Sequence, residues 1–312
     1  MKIYYSTDDF NPIHNAVVTS GTFDGVHVGH QKILNRLKEI AARIGGETIV
    51  ITFWPHPRFI LKPGVSQHLL LNTFEEKAEL LKEQGIQHLL RIPFTKEFSQ
   101  ITSTEFIENI LVKRIGTKKL VIGYDHRFGK NREGSFEQLS QNASGYGFEV
   151  EEIPRQDVDH VGVSSSRIRK ALEEGDIETA THFLGRPYSL NGRVVKGDKL
   201  GRVLGYPTAN IDVDSNDKLI PAHGIYAVTV DHGSEHLRGM LYIGNRPTVD
   251  GTRMAIEVNI FDFDKDIYGE NLKVNLIATI RKDAKFDDLE TLKRQMQADK
   301  DRALAILSEK NV

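Results

Sequence analysis

Ala16-Val17-Val18-Thr19-Ser20-Gly21-Thr22-Phe23-Asp24-Gly25-Val26-His27-Val28-Gly29-His30 decides how the first half of the chain is read. Ala16–Thr19 is a short apolar run, as expected of a strand, and a helical pattern begins at Gly29 and runs to Ile44. The glycine-rich turn between them therefore lies at the carboxyl end of a parallel strand, where open α/β sheets bind ligands. A helix start offers N–H groups without intrahelical partners and the positive end of a dipole, so phosphate is its natural guest. Gly21, Gly25 and Gly29 let the backbone come close to a ligand. His27 and His30 are one helical turn apart and can both face a phosphate chain, where imidazole N–H groups stabilise charge growing on phosphorus. The alternatives are metal ligation by the pair, for which no third ligand is near in sequence, and plain surface histidines. Turn, His-x-Gly-His and helix start together are more specific than any one of them.

The same rhythm continues outward. Thr48–Phe53, His88–Ile92, Lys119–Gly123 and Phe148–Ile153 read as further strands, several nearly continuous in apolar residues, as in a parallel sheet covered on both faces. Helices are expected over Phe74–Gln84, Ser103–Arg114 and Ser135–Ser144. The alternation predicts a doubly wound α/β domain. Two superficial matches fail: Gly123–Asn131 has P-loop-like glycines and Lys130 but the wrong spacing and no Ser or Thr after the lysine, and no Gly-x-Gly-x-x-Gly follows a strand.

After about Arg186 the pattern changes. Gly192–Lys196, Thr208–Val213, Ile225–Asp231, Leu237–Ile243, Met254–Phe263 and Leu272–Arg281 follow one another as strands, with turn residues at Asp231-His232-Gly233-Ser234. Six strands without a long intervening helix predict a small closed β-barrel. A terminal helix is expected over Asp287–Ser308, with Asp287 or Asp288 as cap and Leu289, Leu292, Met296, Ala303 and Ile306 on its apolar face. Ser164–Leu184 reads as a helical segment broken at Gly175, and Gly185-Arg186-Pro187 as a boundary, so the expected domains are 1–184 and 185–312.

Composition narrows the class. The chain has 312 residues, enough for two cores, with 39% hydrophobic and 27% charged residues. It has no cysteine, which excludes disulfides, thiolate zinc sites and thiol nucleophiles. A net charge of -2 argues against a broad grip on nucleic acid. No apolar run has the length of a membrane span and the first residues are too polar for a secretory signal, so a soluble, cytoplasmic protein is expected.

Two further clusters carry chemistry. Val163-Ser164-Ser165-Ser166-Arg167-Ile168-Arg169 is a serine run opening a helix. It is either an N-cap with solvated arginines or a second phosphate grip through hydroxyls, helix amides and Arg169. In Gly192–Ile211, Gly197, Gly201 and Gly205 suggest a loop that approaches a ligand, and Pro207-Thr208-Ala209-Asn210 then enters a strand. Thr208 and Asn210 alternate to one face, so their oxygens can converge on one ion of the magnesium type; a simple turn entering a strand is the alternative. In Met254–Phe263, Glu257 lies opposite the apolar stripe of Met254, Ile256, Val258 and Ile260. It reads either as a solvated barrel-surface residue or as a base for an attacking hydroxyl.

With these residues in view the resemblance is specific. His-x-Gly-His after a strand with a downstream Ser-Ser-Ser-x-Ile-Arg resembles the nucleotidyltransferase superfamily. Gly21–Gln31, Phe53-Trp54-Pro55-His56-Pro57 and Val121–Gly129 are similar to the amino-terminal module of bacterial bifunctional FAD synthetases. Gly197–Ile211, Gly224–Val228, Ile243–Thr248, Glu257 and Ile267-Tyr268-Gly269 resemble riboflavin kinase, over roughly Gly185 to Asp301.

The resemblance implies a nucleotidyltransferase domain followed by a riboflavin-kinase-type barrel. Together they would convert riboflavin to FMN and FMN to FAD with ATP and magnesium. It implies that Gly21, Thr22, Phe23, Asp24, His27, Gly29 and His30 bind ATP, that Ser164, Ser165, Ser166 and Arg169 close over its phosphates, and that Asp125 and Arg127 help place nucleotide or flavin. In the second half it implies binding roles for Gly197, Gly201, Pro207 and Tyr226, magnesium and phosphate contacts for Thr208 and Asn210, and Glu257 as base toward the ribityl 5′-hydroxyl. The implied partners are small molecules, with neither nucleic acid nor membrane. Four positions depart from the family pattern: Ser166 for Thr, His126 for Phe, Tyr242 for Asn and Asn259 for His. The alternatives are a paralogue keeping only FMN adenylylation and a flavin-binding regulator without turnover.

Overall fold

The computed structural model describes residues 1–61, 70–124, 126–154, 162–197, 200–248 and 251–312. The chain forms two compact units, one of Met1–Ser66 with Leu70–Ser165 and one covering Ser166–Val312. The division falls at the start of the helical segment that the sequence reading groups with the first domain.

The first unit is a six-stranded parallel sheet of β1 (Lys2–Tyr4), β2 (Ala16–Ser20), β3 (Thr48–Trp54), β4 (His88–Pro93), β5 (Thr117–Gly123) and β6 (Glu149–Ile153), in the order β1-β4-β3-β2-β5-β6. The sequence pattern found five of these. β1 escaped it because a three-residue edge strand with two exposed positions has no apolar run to read. The chain builds outward from β2 through β3 to β4 and then returns to the other side of β2 with β5. The crevice beyond the carboxyl ends of β2 and β5 is thus the point where strand order reverses, the usual ligand position in such sheets.

Helices cover both faces: α1 (Val28–Ile44), the short α2 (Pro57–Leu61), α3 (Phe74–Glu83), α4 (Ser103–Glu105) and α5 (Phe136–Tyr146). In α1, Ile33, Leu34, Leu37, Ile40 and Ala41 recur at three and four residues and bury against Val17, Val50, Leu89 and Val121. Each fully buried Leu or Ile contributes about 1.5–3 kcal/mol. Alternate sheet residues, Val18, Ile49, Ile51, Leu90, Leu120 and Ile122, face the other layer. There α4 starts with a capping box between Thr102 and Glu105, then continues as a wider π-type helix over Phe106–Ile115. An ordinary α-helix was expected here. The buried stripe of Phe106, Ile107, Ile110 and Leu111 satisfies both windings, so the apolar pattern alone does not distinguish them.

The second unit begins with α6 (Ser165–Glu174) and α7 (Ile177–Leu184), broken at Gly175, whose φ of 77° favours glycine. A closed barrel follows, from β7 (Tyr188–Val195), β8 (Ala209–Val213), β9 (Gly224–His232), β10 (Glu235–Thr248), β11 (Gly251–Ile260) and β12 (Asn271–Lys282), in the order β10-β11-β8-β7-β12-β9. A short helix, α8 (Leu200–Val203), lies between β7 and β8. Closure leaves no open sheet edge. The final helix α9 (Leu289–Glu309) is capped by Asp288, whose carboxylate accepts from the Thr291 N–H at 2.7 Å. It buries Ala303, Ile306 and Leu307 against Ala227, Met240, Phe261 and Ile277 on the outside of the barrel.

Candidate active sites

In the first unit the site is the turn between β2 and α1. His27 is the N-cap of α1, and its Nδ1 accepts from the His30 N–H at 3.3 Å. An imidazole that accepts at Nδ1 carries its proton on Nε2 when neutral, so His27 keeps a donor at the helix start. The His27 and His30 rings stack at 3.6 Å between centroids, 14° from parallel, which holds both at the positive end of the helix.

The turn itself is strained and firmly held. Phe23 and Val26 have φ of 47° and 38°, unusual for side-chain-bearing residues and most of all for a β-branched one. Strain of this kind costs about 1–3 kcal/mol per residue and persists only where surrounding bonds over-determine it. The Gln31 amide donates to the Val26 carbonyl at 3.0 Å, Thr52 Oγ1 to the Thr22 carbonyl at 3.2 Å, and Ser165 Oγ to the Asp24 carbonyl at 3.0 Å. Lys77 Nζ donates to Thr52 Oγ1 at 3.4 Å. Burial pushes the Lys77 ammonium down to about 8, partly opposed by the Asp24 charge.

The predicted residues divide here by job. Asp24 is 1% exposed and its carboxylate accepts from the Leu71 and Asn72 N–H groups at 3.1 and 3.3 Å, so that side chain builds the loop from beneath. Phe23 is buried in the core, and its ring lies 3.2 Å from where a Cβ on Gly21 would stand. Ser165 is tied to the loop through Asp24. Arg169, on the next turn of α6, is buried, while Ser166 and Arg127 are exposed. Asp125 lies outside the described residues. His126, half-buried, bonds through Nε2 to Ser20 Oγ at 3.2 Å, spanning the crevice between β2 and β5. Burial and the Arg132 charge push it down to about 4, so it stands there as neutral imidazole.

In the barrel the centre is Glu257. Strand alternation leaves open whether its face meets water, and burial answers that: Glu257, Asn259 and Phe261 are 4%, 6% and 5% exposed. The solvated-surface reading is thereby excluded. Thr208 Oγ1 donates to Glu257 Oε2 at 3.1 Å, and Asn210 is paired with Glu257 across β8 and β11. The three residues are therefore together. Gly197 and Gly201 are required by this cluster. A Cβ on Gly197 would stand 2.2 Å from Asn210 Nδ2, and one on Gly201 would stand 2.4 Å from the Tyr206 carbonyl and 3.2 Å from Thr208 Oγ1. The glycines expected to approach a ligand thus let the chain close on its own Thr and Asn.

Two cavities meet at Thr208. One, of about 420 Å³, has Glu257, Tyr242 and Asn259 on one side and Phe286, Leu292 and Met296 on the other. The second, of about 430 Å³, lies toward Pro207 and is walled by Phe263, Lys265 and Tyr268. Both fall in the usual range for small-molecule sites. Tyr226 lines neither: it is fully buried, its hydroxyl donates to the Ala222 carbonyl, and burial pushes that phenol up to about 12.

Sequence reasoning missed Arg281 and Asp299, which line the first cavity as a two-pronged pair: Nη2 to Oδ2 at 2.8 Å and Nε to Oδ1 at 3.0 Å. A signal was present. Asp299 interrupts the apolar stripe of α9 between Met296 and Ala303, and a carboxylate on a buried stripe needs a partner. Magnesium fits the donor set, since Thr208 offers hydroxyl lone pairs and Asn210 an amide oxygen, both hard oxygen ligands. Among the described residues no group of three His, Asp or Glu side chains forms a metal cage. No described helix is long and apolar enough to cross a membrane.

Residues 10–167 match the family described as FAD synthetase, and residues 184–307 the family described as riboflavin kinase. The bifunctional riboflavin kinase/FMN adenylyltransferase of Listeria monocytogenes is 39% identical over 94% of this chain and 93% of its own. The protein of that name from Escherichia coli is 36% identical over 92% and 91%. A crystal structure from Streptococcus pneumoniae, titled as a macrolide-efflux protein, is 32% identical, with a TM-score of 0.85 over 96% of this chain and 97% of its own. The chain belongs to the bifunctional riboflavin kinase/FMN adenylyltransferase family, with an FAD synthetase domain followed by a riboflavin kinase domain.

Proposed function

We propose that this chain phosphorylates riboflavin to FMN in its barrel and joins FMN to AMP in its parallel-sheet unit, using ATP and magnesium for both steps. The observation that carries the reading is the pairing of Thr208 with the buried Glu257 at the meeting of two cavities. A flavin binder without turnover has no use for a buried carboxylate there.

In the kinase step the flavin occupies the apolar cavity beside Phe286 and Met296, and ATP the cavity walled by Phe263 and Tyr268. Glu257 accepts the proton of the ribityl 5′-hydroxyl as its oxygen bonds to the γ-phosphorus and the bond to ADP breaks. Thr208 spends its only proton on Glu257, so its lone pairs remain for the metal. Magnesium, when bound by Thr208 and Asn210, supplies charge neutralisation on the phosphate oxygens.

In the adenylylation step an FMN phosphate oxygen bonds to the α-phosphorus of ATP and pyrophosphate leaves. His27 Nε2, His30 and the first N–H groups of α1 hold the phosphates, and Ser164 and Ser165 complete the grip. No covalent enzyme intermediate is needed, so the gain comes from positioning and charge stabilisation. Both steps draw on ATP, and the cytoplasm is the compartment this reading expects.

The test is a time course of the pure protein with riboflavin, ATP and magnesium, with flavins separated by chromatography. FMN and then FAD are expected. FAD formed only from supplied FMN would overturn the kinase assignment, and absence of product from either flavin would overturn both.

A further inference from the structure

Asn259 lies two residues beyond Glu257 on β11 and so on the same face. Its side chain is 6% exposed, and Nδ2 donates to the Pro207 carbonyl at 2.7 Å. Pro207 immediately precedes Thr208, the residue whose hydroxyl reaches Glu257 at 3.1 Å.

The backbone ladders stop short of Thr208. β8 pairs with β11 at Ala209–Val258 and Asn210–Glu257, and with β7 from Asn210 to Val213. On the other side the Tyr206 N–H donates to the Gly201 carbonyl at 2.8 Å, while Pro207 has no N–H to donate. The Pro207 carbonyl, next to Thr208, is held by the Asn259 amide.

We infer that Asn259 is a positioning residue for phosphoryl transfer: by clamping the Pro207 carbonyl it sets where the Thr208 oxygen stands relative to the Glu257 carboxylate. The inference rests on the kinase reading above. A His at this position can donate through a ring N–H to the same carbonyl, so it is the replacement that keeps the clamp. Because Asn259 acts through Thr208 and Glu257, its loss falls on turnover more than on riboflavin affinity. Displacement of a reacting group by about 1 Å costs up to about a hundredfold.

The experiment uses the full-length chain with Asn259→Leu, which keeps the branched shape and removes the donor, and Asn259→His. In Asn259→Leu the kcat for FMN formation, read at saturating riboflavin, should fall about tenfold to a hundredfold. Asn259→His should recover most of the loss, and FAD formation from added FMN should be unchanged in both. In a Glu257→Gln background, Asn259→Leu should add less than about a further threefold, since the two act as a unit. Independently of turnover, amide exchange of the ligand-free protein should quicken across 206–210 in Asn259→Leu and return to normal in Asn259→His. Asn259→Ala repeats both measurements if the leucine does not pack.

Unchanged kcat, or a full additive loss in the Glu257→Gln background, overturns the inference. So does unchanged exchange across 206–210. If the parent chain makes no FMN, the kinase reading fails first, and the exchange measurement still decides whether the clamp exists.

Discussion

Replacing Glu257 with Gln removes a proton acceptor and little else. The side chain is 4% exposed and its contact with Thr208 is one in which the threonine donates at 3.1 Å. A glutamine amide oxygen accepts that same hydrogen bond in the same volume, so stability should change by no more than about 1 kcal/mol. Loss of a positioned general base costs about 10²–10⁴-fold in rate, which corresponds to about 3–5 kcal/mol on the barrier. The assay is the initial rate of FMN formation from saturating riboflavin, with FAD formation from added FMN measured on the same preparation. The kinase rate should fall at least a hundredfold while adenylylation stays within about twofold. A kinase rate within threefold of the parent, in a chain with the parent's circular dichroism, would refute the base assignment. An equal fall in both activities would refute the separation of the two sites.

Three further outcomes follow from the geometry. His30→Ala removes one imidazole from the helix start and should slow FAD formation about 10²–10³-fold while FMN formation is retained, as read by the same chromatography. Arg281→Met leaves the carboxylate of Asp299, 3% exposed, without its cation; this should destabilise the second unit by about 3–5 kcal/mol in urea unfolding, and adding Asp299→Leu should recover most of it. Lys77, 1% exposed, titrates near 8 in the folded chain, below its ordinary value of 10.5. Between those values the unfolded chain holds a proton that the folded one has released, so folding gains stability as pH rises through the window. The parent should gain about 3 kcal/mol relative to Lys77→Met between pH 8 and 10.4, and parallel stability curves for the two proteins would refute the burial of a charged Lys77.

Much of this protein was legible in one dimension because its signals are local. The apolar runs of β2 to β6, the strand–turn–helix at Ser20–His30 and the change to consecutive strands after Arg186 depend on neighbours a few residues apart. So do Asp288 as the cap of α9 and Gly175 as the break between α6 and α7. Thr208, Asn210 and Glu257 were also singled out as residue types in a known pattern, and the fold brings them together.

Other features depend on what packs over a face. Alternation along β11 puts Glu257, Asn259 and Phe261 on one side, but only the folded unit shows that side buried, with α9 packed on Phe261 and the Thr208 hydroxyl on Glu257. Tyr226 on β9 is fully buried, which its strand pattern alone does not tell. Gly197 and Gly201 owe their identity to Asn210 and Thr208, which approach them only after the loop folds back. Arg281 meets Asp299, and Asn259 meets Pro207, across 18 and 52 positions. Period and turn chemistry set the elements in sequence. Burial and pairing belong to the assembled layers, since the free energy of a charged or polar group depends on surroundings that distant segments supply.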